Sequence, residues 1–262
     1  MRTWIKASTL FTIAGLTACS SSPTGRNQIL MFSDSEMSSL GAKSFEQMKK
    51  EIPISKNKKT NAYVQCVAKH ITDTIPPQPG FTEWEVVVFD SDQVNAFALP
   101  GGKIGVYTGL LKVAKNQDQL ATVIGHEVAH VLADHSNERL SQSQLANAGL
   151  SLANVALGAS EYKEYQQVTM SALGLGVQYG VILPYGRTQE SEADIVGLKY
   201  MAKAGFNPNQ SVDLWQNMGK ASGGSQPPEF FSTHPSHSTR IKDLQATINT
   251  LPAYNVKAPK CG

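Results

Sequence analysis

Two histidines and a glutamate at the spacing HExxH are the residues of this chain best suited to chemistry: His126, Glu127 and His130. Residues four apart share one face of an α-helix, so both imidazoles can bind one Zn²⁺. Glu127 can then act as general base toward a water in the site. The alternative is a chance pattern on a solvated helix face. It is disfavoured because the surrounding helix is apolar, and buried charged groups need partners.

A third metal ligand has to come from another element, because zinc hydrolases use three protein ligands and keep one position open. Glu190 is the better candidate. It shares a predicted helix face with Asp194, which we expect to orient a ligand histidine. By contrast, His135 is expected to be a surface residue and Glu192 a solvated charge. The predicted cofactor is one Zn²⁺ per chain.

Regular elements are predicted on both sides of these residues. The HExxH motif lies in a helix over 117–134, with an apolar stripe at Leu120, Ile124, Val128 and Val131 turned away from the histidines. A strand over 84–89 and a hairpin of Ala96–Leu99 with Lys103–Tyr107 precede it. The other predicted helices cover 34–48, 60–75, 190–204, 208–220 and 238–248. The small-residue stretch 140–183 is expected to be helical, too polar to span a membrane, and a possible cover for a cleft.

The N-terminus has the pattern of a lipoprotein signal peptide. Arg2 and Lys6 precede a short apolar run, and Leu16-Thr17-Ala18-Cys19 resembles the bacterial lipobox. The alternative is an ordinary secretory signal with an incidental cysteine. Ser20 follows the cysteine where an aspartate would resemble inner-membrane retention, which favours the outer membrane. We therefore expect a signal peptide over 1–18, a lipidated flexible tether over 19–33 and one domain over 34–262.

HExxH followed by ExxAD at 190–194 resembles the CaaX-prenyl-protease and HtpX type of gluzincin metallopeptidase, and in particular its periplasmic lipoprotein branch. Segments 95–98, 105–110 and 233–235 strengthen the resemblance. It implies an α+β, mostly helical zincin-like metallopeptidase domain with a small antiparallel sheet beside the HExxH helix. It also implies that Glu127 is the general base and later proton donor, and that the zinc ligands are His126, His130 and Glu190.

The resemblance extends to a C-terminal block with His234 and Arg240. It implies that His234 stabilises the oxyanion or lies near the metal as a regulatory ligand, and that Arg240 supports the site. The alternative for both is a turn with structural hydrogen bonds. His70 and His237 are expected to be surface residues.

The function that follows is a zinc endopeptidase tethered to the outer membrane and facing the periplasm. Its expected substrates are misfolded or stalled envelope proteins. The alternative is a chaperone-like assembly factor for outer-membrane proteins, with proteolysis secondary. Its candidate partner is the outer-membrane assembly machinery. A metal-binding lipoprotein without turnover is disfavoured by the intact Glu127.

Composition excludes other classes. The chain has 23 basic and 21 acidic residues, which excludes a nucleic-acid-binding arm, and its mean hydropathy of −0.22 excludes a polytopic membrane protein. Arg2 and Lys6 lie in the predicted signal, so 23 less these two leaves 21 basic against 21 acidic residues. Acyl chains such as palmitate on Cys19 must then provide the anchoring.

Cys66 and Cys261 remain as a possible disulfide in an oxidising periplasm, or as two free thiols.

Overall fold

The computed structural model describes residues 19–160, 164, 166–177, 183–221, 234 and 239–262. The predicted signal peptide over 1–18, the surface position of His237 and parts of 140–183 lie outside these residues. Within the described ranges no helix combines the length and the apolar composition needed to cross a membrane.

Helices dominate the described part of the chain. They are α1 (Asp34–Glu51), α2 (Lys58–Thr72), α3 (Gln117–Leu132), α4 (His135–Gly158), α5 (Gln166–Val177), α6 (Leu183–Lys203), α7 (Gln210–Ala221) and α8 (Arg240–Thr250). The strands are β1 (Cys19–Ser21), β2 (Asn27–Ile29), β3 (Glu85–Phe89), β4 (Ala96–Leu99) and β5 (Lys103–Tyr107). The α+β, mostly helical class is confirmed, and the predicted hairpin has the predicted bounds.

The three-stranded sheet has the order β3-β5-β4 and is mixed. β4 and β5 form the predicted antiparallel hairpin, whereas β3 runs parallel to β5. Strand β4 therefore lies at the sheet edge, against α3. This places an edge strand beside the helix that carries HExxH.

Helix α3 is the central helix of the core. Asn116 caps it by accepting a hydrogen bond from the Gln119 backbone N–H. Every residue from 119 to 130 is buried, including the predicted stripe positions Leu120, Ile124 and Val128. The stripe packs in the main core, while the opposite face meets α6. The histidine face is therefore buried by protein.

Helices α3 and α6 approach at two glycines. A Cβ on Gly197 would lie 2.8 Å from the Gly125 carbonyl carbon and 2.8 Å from the His126 nitrogen. A Cβ on Gly125 would lie 3.0 Å from the Gly197 carbonyl oxygen. Side chains at either position would separate the two backbones. This close crossing brings the HExxH helix next to the helix that carries Glu190.

Helix α4 starts at a sharp change of direction. Asp134 has φ 51°, in the left-handed region, and it separates α3 from α4. The first turns of α4 are buried up to Ser141. Beyond that residue several large apolar side chains are exposed, as at Leu152 and Val155. The helical prediction for this stretch is confirmed where the structure describes it.

The N-terminal segment differs from the predicted flexible tether. Residues 19–29 form an antiparallel β-hairpin of β1 and β2, here called the N-terminal hairpin. Ser22 and Gln28 of this hairpin are buried. The short polar residues that suggested a linker instead make specific hydrogen bonds with the domain, which are described below.

The C-terminus is fixed to the helical core by a disulfide. The structure joins Cys66 of α2 to Cys261, with their Cα atoms 5.5 Å apart and a sequence separation of 195. Gln117, the first residue of α3, also binds this segment through the Pro259 carbonyl and the Cys261 amide. The chain end is therefore held against the start of the central helix.

Candidate metal centre

The two histidines of HExxH present their Nε2 atoms to one point. The Nε2 atoms of His126 and His130 lie 3.1 Å apart, and both side chains are buried. The separation by one turn of α3 produces this convergence. Two facing ring nitrogens of this kind are well placed to share a cation.

Glu190, on α6, places its carboxylate beside the same two Nε2 atoms. One of its carboxylate oxygens lies 3.2 Å from His126 Nε2, and the other lies 3.4 Å from His130 Nε2. The glycine crossing described above sets the distance between the two helices. The structure thus brings together the three residues that the sequence predicted as ligands.

His234 is the fourth member of the cluster. Its Nδ1 lies 3.2 Å from His126 Nε2 and 3.0 Å from a Glu190 oxygen. Its other ring nitrogen, Nε2, lies 3.2 Å from Glu127 Oε1. His234 therefore stands between the ligand group and the predicted general base.

The donor geometry fits a zinc ion. Zinc takes nitrogen and oxygen ligands at about 2.0–2.2 Å in a tetrahedron, whose edges are then roughly 3.3 Å. The donor–donor distances given above range from 3.0 to 3.4 Å. One donor atom from each of the four residues lies within 4.8 Å of the other three. The cluster consists of lone-pair donors at the spacing of a tetrahedral metal site: His126, His130, Glu190 and His234.

Glu127 lies beside the cluster and is not part of it. It is buried, and its Oε1 has no hydrogen bond, although His234 Nε2 is within ion-pair distance. A buried carboxylate oxygen without a hydrogen-bond donor is costly. An oxygen in that state, facing the cluster, is available to accept a proton from a bound water.

His126 is oriented from behind by a carboxylate. Asp194, one turn after Glu190 on α6, lies 3.0 Å from His126 Nδ1. Because the carboxylate accepts, Nδ1 carries the hydrogen and Nε2 keeps its lone pair for a metal. This is the role expected of Asp194.

Arg240 holds the two carboxylates of α6 together. Its guanidinium donates to Asp194 at 2.7 Å and to Glu190 at 3.4 Å. It also stacks on the Trp215 ring, with Cζ 3.6 Å from the centroid. Although it begins α8, Arg240 is only 1% exposed. The contact with two site carboxylates goes beyond the alternative of a structural hydrogen bond in a turn.

The electrostatics of the cluster favour a positive charge. Burial would raise the pKa of Glu190, but hydrogen bonds from the surrounding histidines hold it far below its ordinary value. Burial lowers the pKa of His126, yet Asp194 and Glu190 outweigh this and raise it to about 9. The pKa of His130 stays well below its usual value, chiefly because of burial. A cation bound here would compete with a proton for His126.

Two expectations were wrong, and both concern residues near the metal ligands. His135 is 0% exposed, and its Nδ1 lies 2.8 Å from Nδ1 of His130. Glu192 is 3% exposed and lies 3.2 Å from Nε2 of His135. The left-handed Asp134 turns the chain so that the next residue packs under His130. His70, by contrast, is exposed as expected.

Comparison with known proteins places the chain among peptidases. A model of peptidase family M48 matches residues 55–248. The mitochondrial metalloendopeptidase OMA1 of Schizosaccharomyces pombe is 35% identical over 189 residues, which cover 71% of this chain and 52% of that protein. The OMA1 of Bos taurus is 32% identical over 254 residues, covering 91% and 48%. The beta-barrel assembly-enhancing protease of Yersinia pestis is 29% identical over 174 residues, covering 65% and 35%.

These matches include both mitochondrial and bacterial proteins, so they do not single out the lipoprotein branch suggested by the sequence. The chain also spans about half the length of the OMA1 relatives it matches. The matched region contains the HExxH motif and Glu190. The similarity therefore covers the candidate metal centre itself.

Proposed function

The chain belongs to peptidase family M48, and from this premise we propose that it is a zinc-dependent endopeptidase acting on misfolded or stalled envelope proteins. The observation that carries the proposal is the convergence of four metal-binding side chains beside a buried glutamate. His126, His130 and Glu190 would hold the zinc. When bound, zinc supplies a Lewis acid and lowers the pKa of water toward about 7.

Glu127 would transfer protons during hydrolysis. Its unbonded Oε1 faces the cluster, so it can accept a proton from the attacking water. The same carboxyl group can then protonate the leaving amine. The low polarity of this buried position strengthens each electrostatic contact that Glu127 makes.

Of the two roles considered for His234, its position supports that of a regulatory ligand. With zinc held by the other three residues, its Nδ1 would lie at the position that a catalytic zinc site keeps open. Turnover would then require His234 to move from that position.

Strand β4 supports an extended polypeptide as substrate. In the sheet described here β4 pairs with β5 on one side only, and it lies against the HExxH helix. A substrate segment can add to such an edge through backbone hydrogen bonds, which read extended conformation more than sequence. This binding mode suits proteins that have lost or not yet reached their fold.

The envelope location rests on Cys19 and on one relative. The lipobox-like sequence supports a lipid anchor at the inner face of the outer membrane. The Yersinia relative is named a beta-barrel assembly-enhancing protease. That name also favours the second candidate function, an assembly factor for outer-membrane proteins in which proteolysis is secondary.

The decisive experiment is cleavage of an unfolded protein by the purified chain. We expect cleavage to stop with a chelator and to return with zinc. Glu127→Gln should keep its zinc and lose at least about 10²-fold in rate, because it removes only the proton carrier. His130→Ala should lose the zinc itself. Full activity of Glu127→Gln, or no zinc in the wild-type protein, would contradict the proposal.

The same Glu127→Gln variant separates the two candidate functions. In a bacterial strain that lacks this protein, the peptidase function predicts that the variant fails to rescue envelope defects. Full rescue would instead favour the assembly factor. The matched control is Glu46→Gln, which changes an exposed glutamate on α1.

The lipid anchor is tested by Cys19→Ser. We expect this variant to move from the membrane fraction to the soluble periplasm, while intact-mass analysis of the wild-type chain shows added acyl groups. Membrane attachment that persists in Cys19→Ser would reject the anchor and leave the zinc proposal untouched.

A further inference from the structure

His126 and His130 are oriented by different arrangements. A carboxylate, Asp194, binds His126 directly. His130 has a second histidine behind it, since its Nδ1 lies 2.8 Å from Nδ1 of His135. The rings of His130 and His135 have centroids 4.9 Å apart and are nearly perpendicular. His135 takes the place that a carboxylate takes behind His126.

The hydrogens in this arrangement can be placed from the last acceptor. The Glu192 carboxylate can only accept, so His135 Nε2 must donate to it at 3.2 Å. A neutral His135 then has its lone pair on Nδ1. His130 Nδ1 consequently donates to His135, which leaves the lone pair of His130 on Nε2, where it points into the metal cluster. One buried carboxylate therefore fixes the hydrogen positions on two successive histidines.

Glu192 is in turn held by the N-terminal hairpin. The Thr24 hydroxyl donates to Glu192 at 2.6 Å, the Thr24 backbone N–H donates at 3.2 Å, and the Ser22 hydroxyl also donates. Arg26 adds two bonds from its guanidinium, at 3.1 and 3.0 Å. These donors lie more than 160 residues from Glu192 in the chain. The segment that follows Cys19 thus supplies most of the donors around this carboxylate.

Arg26 also bridges to a second buried carboxylate. Its guanidinium forms a bidentate salt bridge with Glu138, at 2.5 and 2.7 Å. Gln28 of the same hairpin donates to Glu138 at 3.2 Å and to the Ala133 carbonyl at 2.6 Å. Without Arg26, the two buried carboxylates would both lose the cation that they share, which is strongly unfavourable. The hairpin therefore supplies the positive charge that pairs with the two buried carboxylates on the far side of His130 from the metal cluster.

We propose that His135 and Glu192 are positioning residues for His130, and that the N-terminal hairpin completes the metal centre by holding Glu192 through Arg26. Metal affinity is then coupled to docking of the segment that follows Cys19. The coupling is reciprocal: if docking tightens metal binding, bound metal must strengthen docking by the same factor. The inference rests on the proposed zinc site.

The first test measures the zinc dissociation constant by competition with a chromophoric chelator. His135→Phe keeps a ring of similar size but removes the acceptor for His130, and we expect zinc affinity to fall 10- to 100-fold. Arg26→Met removes the cation and keeps the length of the side chain, with an expected loss of about tenfold. The matched control is Glu85→Gln, which breaks a partly exposed ion-pair cluster with Lys49 and Lys103 far along the chain from the ligands.

The second test uses the unmodified protein, so it does not depend on whether a variant folds. Amide hydrogen exchange is followed with and without zinc, and the inference predicts slower exchange in the zinc form at Ser22 and Arg26. Both amides are hydrogen-bonded within the hairpin, Ser22 N–H to the Arg26 carbonyl and Arg26 N–H to the Ser22 hydroxyl. A merely structural hairpin would show no response to zinc.

The outcomes are distinct. Weaker zinc binding in His135→Phe and Arg26→Met, with Glu85→Gln unchanged and zinc-dependent protection of the hairpin, supports the inference. Zinc affinity equal to that of the control, or hairpin exchange that ignores zinc, overturns it while the zinc site stands. A wild-type chain that binds no zinc removes the proposed function itself.

Discussion

The crossing of α3 with α6 and the distal part of α4 are built in opposite ways. At the crossing the two backbones meet at Gly125 and Gly197, and the surrounding side chains are buried. In α4 beyond Ser141 several large apolar side chains are exposed, with Leu152 at 73% and Val155 at 70%. Both regions are helical and rich in small residues, but at the first the added Cβ atoms would meet the backbone of the other helix.

The difference shows where the precision of the metal centre comes from. Donor distances near 3 Å between two helices require a backbone approach that cannot adjust, and the glycine pair provides it. The distal part of α4 holds none of the donor atoms and can change without moving them. The glycines of the first region are required by the close contact of the two backbones, whereas Gly149 in the second has open space beside it.

Within the crossing, the largest effect on stability is expected from Gly197→Ala. Its Cβ would meet α3 backbone at 2.8 Å, so the helices must separate. Overpacking of this kind costs about 2 kcal/mol, which outweighs the gain of up to ~1 kcal/mol that alanine brings to a helix. Urea unfolding measures the loss, and zinc competition should show weaker binding because Glu190 moves away from the histidines.

The matched control for that substitution lies in the other region. Gly149→Ala places the same methyl group in α4, where no heavy atom of another described segment lies within 4 Å of the added Cβ. It should stabilise the protein by up to ~1 kcal/mol and leave zinc affinity unchanged. Equal effects of the two substitutions would remove the distinction between the regions.

The sequence predicted the elements better than their contacts. Alternating and helical patterns identified the β4–β5 hairpin and α3, because local periodicity reflects which face is buried. The HExxH spacing also predicted the convergence of His126 and His130. The parallel pairing of β3 with β5 was not predicted, because strand order depends on contacts between distant residues.

Residues that support the ligands were harder to recognise. Glu192 lies two positions after Glu190, so helical periodicity placed it on a different, solvated face. The periodicity was correct, but that face is covered by the N-terminal hairpin. His135 was missed because it was expected on the surface at the end of the HExxH helix. The left-handed Asp134 instead changes the direction of the chain, so that His135 packs against His130. Both errors concern what covers a face, which one sequence does not show.

A second prediction concerns Asp194, which lies on α6 at the crossing and contacts the candidate ligand His126. Asp194→Asn removes the charge behind His126 and weakens the hold of Arg240. We expect zinc affinity to fall 10- to 100-fold, measured by chelator competition. The control is Asp213→Asn on α7, an exposed aspartate that should leave the zinc affinity unchanged. An unchanged affinity in Asp194→Asn would show that the crossing alone orients His126.

A third prediction concerns Asp134, at the junction between the two regions. Burial, with a smaller contribution from the Asp34 charge, raises its pKa from 3.8 to about 6. The folded protein therefore binds the Asp134 proton more tightly than the unfolded chain does. The contribution of this proton to the stability of the fold is fully present below pH 3.8 and is lost as the pH rises through about 6.

The test is Asp134→Asn, since asparagine also tolerates the left-handed conformation. At pH 7.5 the variant should be more stable by roughly 1 kcal/mol, a figure reduced for solvent screening of a partly exposed group. Near pH 3.5 the advantage should vanish, because the wild-type carboxyl is then neutral. Urea unfolding at both pH values measures this, and an advantage that does not change with pH would contradict the assignment.

The smallest effect is expected in the distal part of α4. Leu152→Ala removes a side chain that is already in solvent, so the free energy of unfolding should change by less than about 0.5 kcal/mol. The same substitution in α3, Leu120→Ala, removes a fully buried side chain and should cost about 3 kcal/mol. Urea unfolding of the purified protein compares the two. If Leu152→Ala costs as much as Leu120→Ala, the distal part of α4 packs as tightly as the crossing, and the contrast between the two regions fails.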